Sequence, residues 1–578
     1  MTELEKKIIT STKDGSFLDV IYDEYIQSLR NKSDLSTTLI RLHNSGAINL
    51  VKEFKALNND ENKPEFFLTR SILKDVLPLI DASVKELSDC IKDLTLKAGK
   101  DMASHTLLAP FVEFLTKDVI RVDELLKQEL SEIDEDFDFI SAALIAGFKI
   151  DNKTFFEKAI ELLNHDNTII IQRAIYTLGR FDFKNDSRLA ETAIKEIMDN
   201  NTNLTDEKVL AVQIRTLIIL VASFNQHESY LKKFLENKNN VDHPLFIHNI
   251  AQELDYNSKN LSESTQQLLF SFFKNLDSKK TGTIEHIDWY IYNKISTSDH
   301  TNLSHLFEYL IDNNNDSFNI RMLHHSIQEL QDSKHKKLLS EIITRWFLRR
   351  QVKYCVSAFD LVNNSTDHQI ELTFDINQIK QEDLVYLVNK SIGWFDLNPK
   401  TSLSLILSLI PRCTENKMRI IEEYVLKFVA LNFPTQTKEF LEEKLTSNDS
   451  NVEAFCENII NKLENYFEQI NTHQNIKELR PSNRHRVYYR NYEQKLFEDA
   501  MSKSNKNSLV DLLFPKKVVT LYGNKFIHKH EDVNGNVIRQ VTPFSKLSHS
   551  IEYPNLASLT PHTLDYYLRV LKLEGLNQ

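Results

Sequence analysis

The chain has 578 residues, 41 % of them apolar and 26 % charged, with a net charge of −12, the balance of an ordinary soluble protein rather than a disordered or membrane one. It holds only 10 glycines and 12 prolines, where average usage would give about 40 glycines at this length. Nucleotide-binding sheets and barrels need glycine at tight turns and phosphate loops, so those folds are disfavoured and a mainly α chain with short connections is expected.

Residues 1–134 read as an N-terminal helical region, 135–475 as a helical-repeat array and 476–578 as a basic α/β module. Over 153–164, Phe155, Ala159, Leu162 and Leu163 share one helical face. After the polar break His165-Asp166-Asn167, the next run places Ile171, Ala174, Ile175 and Leu178 at i, i+3, i+4 and i+7. The helical segments 139–148, 170–181 and 210–224 carry Ala142, Ala174 and Ala211 in similar places, 32 and 37 residues apart. A helical hairpin of that length buries its apolar face only against a neighbour. The run Ala174-Ile175-Tyr176-Thr177-Leu178-Gly179, with the helix 155–163 and the Asp166-Asn167 turn before it, resembles a HEAT or armadillo-type repeat, clearest over 135–225. The resemblance implies an α-solenoid working as a binding scaffold.

Further apolar-faced helices are expected at 262–276, 284–295, 303–312, 318–331, 336–349, 354–362, 402–410, 418–431 and 452–470, and 369–374 reads as a short strand. Past residue 475 a helix is expected at 488–501. Strands follow at 517–522, 525–532, 537–542 and 548–553, with Asn534-Gly535 as a hairpin turn. Pro561 opens a last helix over 561–573. The expected fold class is therefore mainly α: a solenoid of HEAT-like hairpins with a small C-terminal α/β module containing a β-hairpin. From residue 477 on there are 16 Lys+Arg and 10 Asp+Glu, a charge of +6, which leaves −18 on the rest.

Cys90, Cys355, Cys413 and Cys456 lie far apart with no CxxC pair. This points to a reducing, cytoplasmic setting, away from a disulfide framework or a cysteine-rich zinc site. The first residues carry no signal-peptide run, and the most apolar stretch, 209–224, contains Gln213 and Arg215 and is too short to span a bilayer. No membrane partner is expected.

Five constellations carry candidate chemistry. The loop 277–288 resembles an EF-hand, with Asp277 first, Gly282 at the sharp turn and Asp288 in place of the bidentate Glu. Lys279 at the third position opposes a dication, so a helix–loop–helix turn is the expectation and no metal. Arg480 and His485 resemble the RNase motif of HEPN domains, in which arginine holds a phosphate and histidine moves a proton; Pro481 interrupts the helix that motif expects. The run 484–492 interleaves Arg484, Arg486 and Arg490 with Tyr488, Tyr489 and Tyr492, which suits phosphate contact plus base stacking, or tyrosines packed under a small domain. His528, His530 and Asp532 share one side of a strand but have no completing ligands. The acidic stretch Glu129, Glu132, Asp134, Glu135, Asp136 and Asp138 precedes a helix, where carboxylates favour the positive end; its sharper reading is a docking patch for a basic partner.

There is no GxSxG, HExxH, Walker A or GxGxxG sequence, so no reaction and no cofactor is expected. The leading expectation is a non-enzymatic cytosolic scaffold that binds protein partners through its solenoid, with the basic C-terminal region taking a second partner. The alternative is a nucleic-acid-associated protein contacting phosphates through that region, and below both stands an RNase using Arg480 and His485. The candidate partner-binding residues are Arg484, Arg486, Tyr488, Tyr489, Arg490 and Tyr492, and Glu132, Asp134, Glu135 and Asp136.

Overall fold

Short polar side chains close helix after helix where the apolar periodicity breaks. The computed structural model describes residues 2–577 except 31–33, 60–64, 100, 185, 200–205, 239–240, 298–301, 315–317, 363–368, 447–448, 474–475, 477–480, 506–524, 532–536 and 544–553. Asp138, Asn167 and Asp206 each accept from first-turn amides and so begin α1 (Phe139–Ile150), α2 (Thr168–Leu178) and α3 (Glu207–Ser223). Those amides have no partner within the helix, which is why the short side chain stands there. Then follow α4 (Pro244–Asn257), with proline in its first turn, and α5 (Thr281–Ser296).

The chain divides into two compact units, Met1–Glu329 and Leu330–Gln578. In the first, α1 to α5 pack on one another in chain order, and the alternate helices Ser187–Asp199, Glu228–Asn237 and Glu263–Phe270 form a second row in the same order. Hydrogen bonds record the sequence of the stack. Arg70 donates to the Ser104 carbonyl 34 residues on, Asn249 to the Ala211 carbonyl 38 residues back, and Asn314 to the Phe273 carbonyl 41 residues back. Each helical pair is tied to the next, the one-dimensional pattern of a helical repeat.

Ala174, Ile175 and Leu178 are fully buried, and so is Ala211. At Gly147 on α1 an added Cβ would lie 2.2 Å from the Phe155 ring, so the glycine lets the following helix pack closely. Gly147→Ala should lower stability by ~1–3 kcal/mol, as overpacking does. A urea melt that leaves the midpoint unchanged would contradict this packing.

In the second unit, the residues expected as a strand at 369–374 run extended but take helical partners. The amides of Leu372 and Phe374 donate to Ser404 and Ser408, on and just past α7 (Pro399–Leu407). Those of Thr373 and Asp375 donate to Ser340 and Thr344 of α6 (Lys336–Leu348). Two residues of extended chain advance ~6.7 Å and four of helix ~6 Å, so alternate amides meet successive hydroxyls on each side. Leu372 and Phe374 are buried.

The expected C-terminal α/β module is corrected: the architecture is mainly α, and the end of the chain belongs to the helical core. The helix α8 (Leu384–Trp394) precedes α7 in the chain, and the last helix, α9 (Pro561–Leu573), packs along it and buries Leu564 and Leu571. The fully buried Lys390 of α8 donates its ammonium to the carbonyls of Leu571, Lys572 and Glu574 at 2.7–2.8 Å. These are carbonyls that a helix end leaves unpaired. Gly393 admits the backbone of α9, since a Cβ there would sit 2.9 Å from the Lys572 nitrogen. Upstream, the amides of Asn555 and Leu556 donate to the carbonyl and side-chain oxygen of Asn432 at 3.1 and 3.0 Å. The only strand pairing among the described residues is a two-stranded ribbon, Lys525–Glu531 antiparallel to Val537–Pro543. Two strands form no sheet layer and are marginal alone, so they do not make an α/β fold. The expected strands at 517–522 and 548–553 and the Asn534-Gly535 turn lie outside the described residues.

All four cysteines are free thiols. Burial pushes Cys90 and Cys355 up to about 12 and Cys456 up to about 11, while Cys413 is only half-buried. A thiol reagent at pH 8 should therefore label Cys413 first; equal rates at all four would contradict the packing. No helix among the described residues is long and apolar enough to cross a membrane.

Candidate functional site

Because α1, α2 and α3 start side by side, their first turns line one open groove of about 610 Å³. Two separate stretches supply its carboxylates: Glu135, Asp136 and Asp138 before α1, and Asp206 and Glu207 at the start of α3. Some are engaged within the fold. Asp138 takes the Ser141 amide at 2.9 Å and lies 3.5 Å from the Arg173 guanidinium. Asp206 takes the Lys208 and Val209 amides, and Glu207 pairs with His243. Arg173 is 6 % exposed and donates to the backbone carbonyls of Asp134 and Glu135, which fixes the acidic loop against α2.

The acidic stretch therefore has two parts. Glu129 is buried beside Lys92, 3.4 Å away, and desolvation holds its carboxyl above the usual range. Asp134 pairs with the same lysine at 3.1 Å. Both are structural. Glu132, Glu135 and Asp136 are exposed, with Glu135 and Asp136 on the groove and available to a ligand. Asp206 and Glu207 escaped sequence reasoning; the signal was a capping aspartate at the same place in the repeat as Asp138. Arg173 also escaped it, as a lone cation on an apolar helix.

The basic–aromatic run forms the N-terminal half of a helix, Asn483–Asn505, and every residue over 483–499 is exposed. Tyr488, Tyr489 and Tyr492 are 64, 48 and 53 % exposed. Among the described residues, Arg484, Arg486 and Arg490 form no ion pair. The expected burial of the tyrosines under a small domain is thus absent from the described residues. His485 is exposed on this helix with its ring 6.1 Å from that of Tyr489, whereas Arg480 lies outside the described residues. His528 and His530 fall on the strand Lys525–Glu531, and Asp532 lies outside the described residues.

In the EF-hand-like loop, Asp288 is turned to another task. Its two carboxylate oxygens take the amides of His325 and Ser326 at 2.8 Å, and one takes the Ser326 hydroxyl. Asp277 takes the Lys279 amide at 2.9 Å. Among the described residues no group of three or more His, Cys, Asp or Glu side chains is placed to hold a metal ion.

One nucleophile–base pair escaped the motif search: Ser187 Oγ lies 2.8 Å from His227 Nε2. Ser187 also accepts from Gln226 at 2.7 Å. The neighbouring helix starts are tied in the same way, Glu228 to Ser262 and Thr265, and Asp288 to Ser326. The Ser187–His227 bond is one more such tie between successive repeats.

No protein-family model matches the chain, and no curated protein matches it.

Proposed function

We propose that this chain is a HEAT/armadillo-like scaffold, working in a reducing cytoplasmic setting, that holds a basic segment of a partner protein against the acidic edge formed by α1, α2 and α3. The observation that supports this reading is the convergence of Glu135 and Asp136 before α1 and of Asp206 and Glu207 at the start of α3 on one open groove. Arg173 fixes the stretch before α1, and Asp206 caps the first turn of α3, so these carboxylates are placed in advance and little ordering entropy is lost on binding. Exposed ion pairs are worth only ~0–1 kcal/mol each. Affinity must then come from several carboxylates engaged together, and it must fall as salt rises.

The test is fluorescence anisotropy of a labelled Lys/Arg-rich peptide with the full chain. Glu135→Lys/Asp136→Lys/Glu207→Lys should weaken binding at least tenfold. A control with the same charge change at exposed positions elsewhere, Glu439→Lys/Glu443→Lys/Glu457→Lys, should keep most of it. Equal losses in the two variants would reduce the groove to general electrostatics and refute the proposal.

A further inference from the structure

We infer that the exposed helix Asn483–Asn505 is a binding surface for single-stranded nucleic acid, gripped by Arg484, Arg486 and Arg490 and stacked on Tyr488, Tyr489 and Tyr492. The inference is independent of the acidic groove. It starts from a local conflict in the sequence. A helix N-terminus carries partial positive charge and favours anions. Here three arginines occupy the first turns, and no Asp or Glu occurs between Glu478 and Glu493. Such a start is poorly matched to an isolated helix and well matched to one that receives an anion.

Geometry extends the argument. At 3.6 residues per turn, Tyr488, Tyr492 and Tyr489 lie along one stripe. Arg484 falls about 40° outside one border of that stripe, Arg486 about 60° outside the other, and Arg490 about 40° further round toward the back of the helix. Bases stacked on the rings would therefore place phosphates within reach of guanidinium groups on both sides. All six side chains are exposed. An acidic peptide would satisfy the arginines but offers no flat faces for three tyrosines, so the ring stripe favours nucleobases. The charge is confined in the same way: residues from 477 on carry +6 and the remainder −18, so a polyanion is repelled elsewhere and held here. Both ends of this region are fixed to the second unit, by the preceding helix Ser450–Thr472 and by Asn555 and Leu556 on Asn432.

The probe is a 3′-fluorescein-labelled 20-nucleotide oligo(U), titrated with the full chain across salt. Three phosphate contacts on a single strand predict a log–log slope near −2, or an affinity loss of about 20-fold between 50 and 200 mM salt. Arg484→Gln/Arg486→Gln/Arg490→Gln should abolish the slope together with most of the binding. Tyr488→Ala/Tyr492→Ala should weaken binding at least tenfold with the slope unchanged, since stacking is not ionic. These positions are exposed, so circular dichroism should match wild type. Absence of binding at 50 mM salt, or equal binding by the arginine variant, would overturn the inference. So would equal affinity for duplex and single strand with no effect of the tyrosine changes, which would indicate an acidic-partner surface instead.

Discussion

Gly393→Val is expected to release the C-terminal helix from the second unit. A Cβ at that position meets backbone, the Lys572 nitrogen at 2.9 Å and the Leu571 carbonyl carbon at 3.1 Å. Backbone cannot swing aside as a side chain can, so α9 must shift, and with it the three carbonyls that Lys390 holds. Overpacking alone costs ~1–3 kcal/mol, and each buried acceptor left without a donor costs a further ~1–3 kcal/mol. Burial pulls the Lys390 ammonium down to about 8, so at pH 7 it still carries the third proton that three carbonyl bonds require. Lys390→Met should loosen the same helix from the opposite side of the contact. Hydrogen exchange is the measurement. Protection over 561–576 should fall in both variants while that of the first unit stays as in wild type. Unchanged protection would show that α9 is held by something other than this contact.

Leu178→Ala is expected to open the first unit locally. Leu178 is fully buried on α2, together with Ala174 and Ile175. Removing a core leucine costs ~2–5 kcal/mol, depending on how far the site collapses. In a repeat stack the cost falls first on the nearest neighbours. Exchange should therefore accelerate in α1, α2 and α3, where the Thr177 hydroxyl bonds to Ser141 across the α1–α2 contact at 2.9 Å. A uniform acceleration over the first unit would instead mean that it unfolds as one body.

The two outcomes rest on parts of the sequence that were unequally legible. The starts of α1 and α2 were readable because each combines a 3.6-residue apolar period with a short polar residue before it, and both signals are local; α3 was legible from its period alone, and its cap Asp206 was not read. Expected segments at 139–148, 170–181 and 210–224 became Phe139–Ile150, Thr168–Leu178 and Glu207–Ser223. The extended run expected at 369–374 was also visible, but not its partners: the hydroxyls that hold it lie about one repeat away on either side, on helices with no β signal. The fate of α9 was invisible. Its helical pattern was plain, yet its seat is made by Lys390 and Gly393, some 180 residues earlier. A lysine and a glycine inside an apolar helix announce nothing until a helix end is placed between them. Charge and β-propensity dominated the reading of that region and led to an α/β module.

The candidate site followed the same rule. Glu129, Glu132, Asp134, Glu135, Asp136 and Asp138 stood out as a run, whereas Asp206 and Glu207 joined Glu135, Asp136 and Asp138 on the groove only once the helices were packed. The exposed arginines and tyrosines were legible as a pattern. Their lack of ion pairs among the described residues was a fact of packing, and it turned the balance from a buried role to a surface one.

Hydrogen exchange of the full chain, with and without a saturating Lys/Arg-rich peptide, tests the scaffold reading most directly. The account predicts new protection at the first turns of α1, α2 and α3, around Ser141, Ile169 and Val209, and none at the same helices' far ends. Protection that appears elsewhere in the chain, or binding that leaves all three turns unchanged, would contradict it.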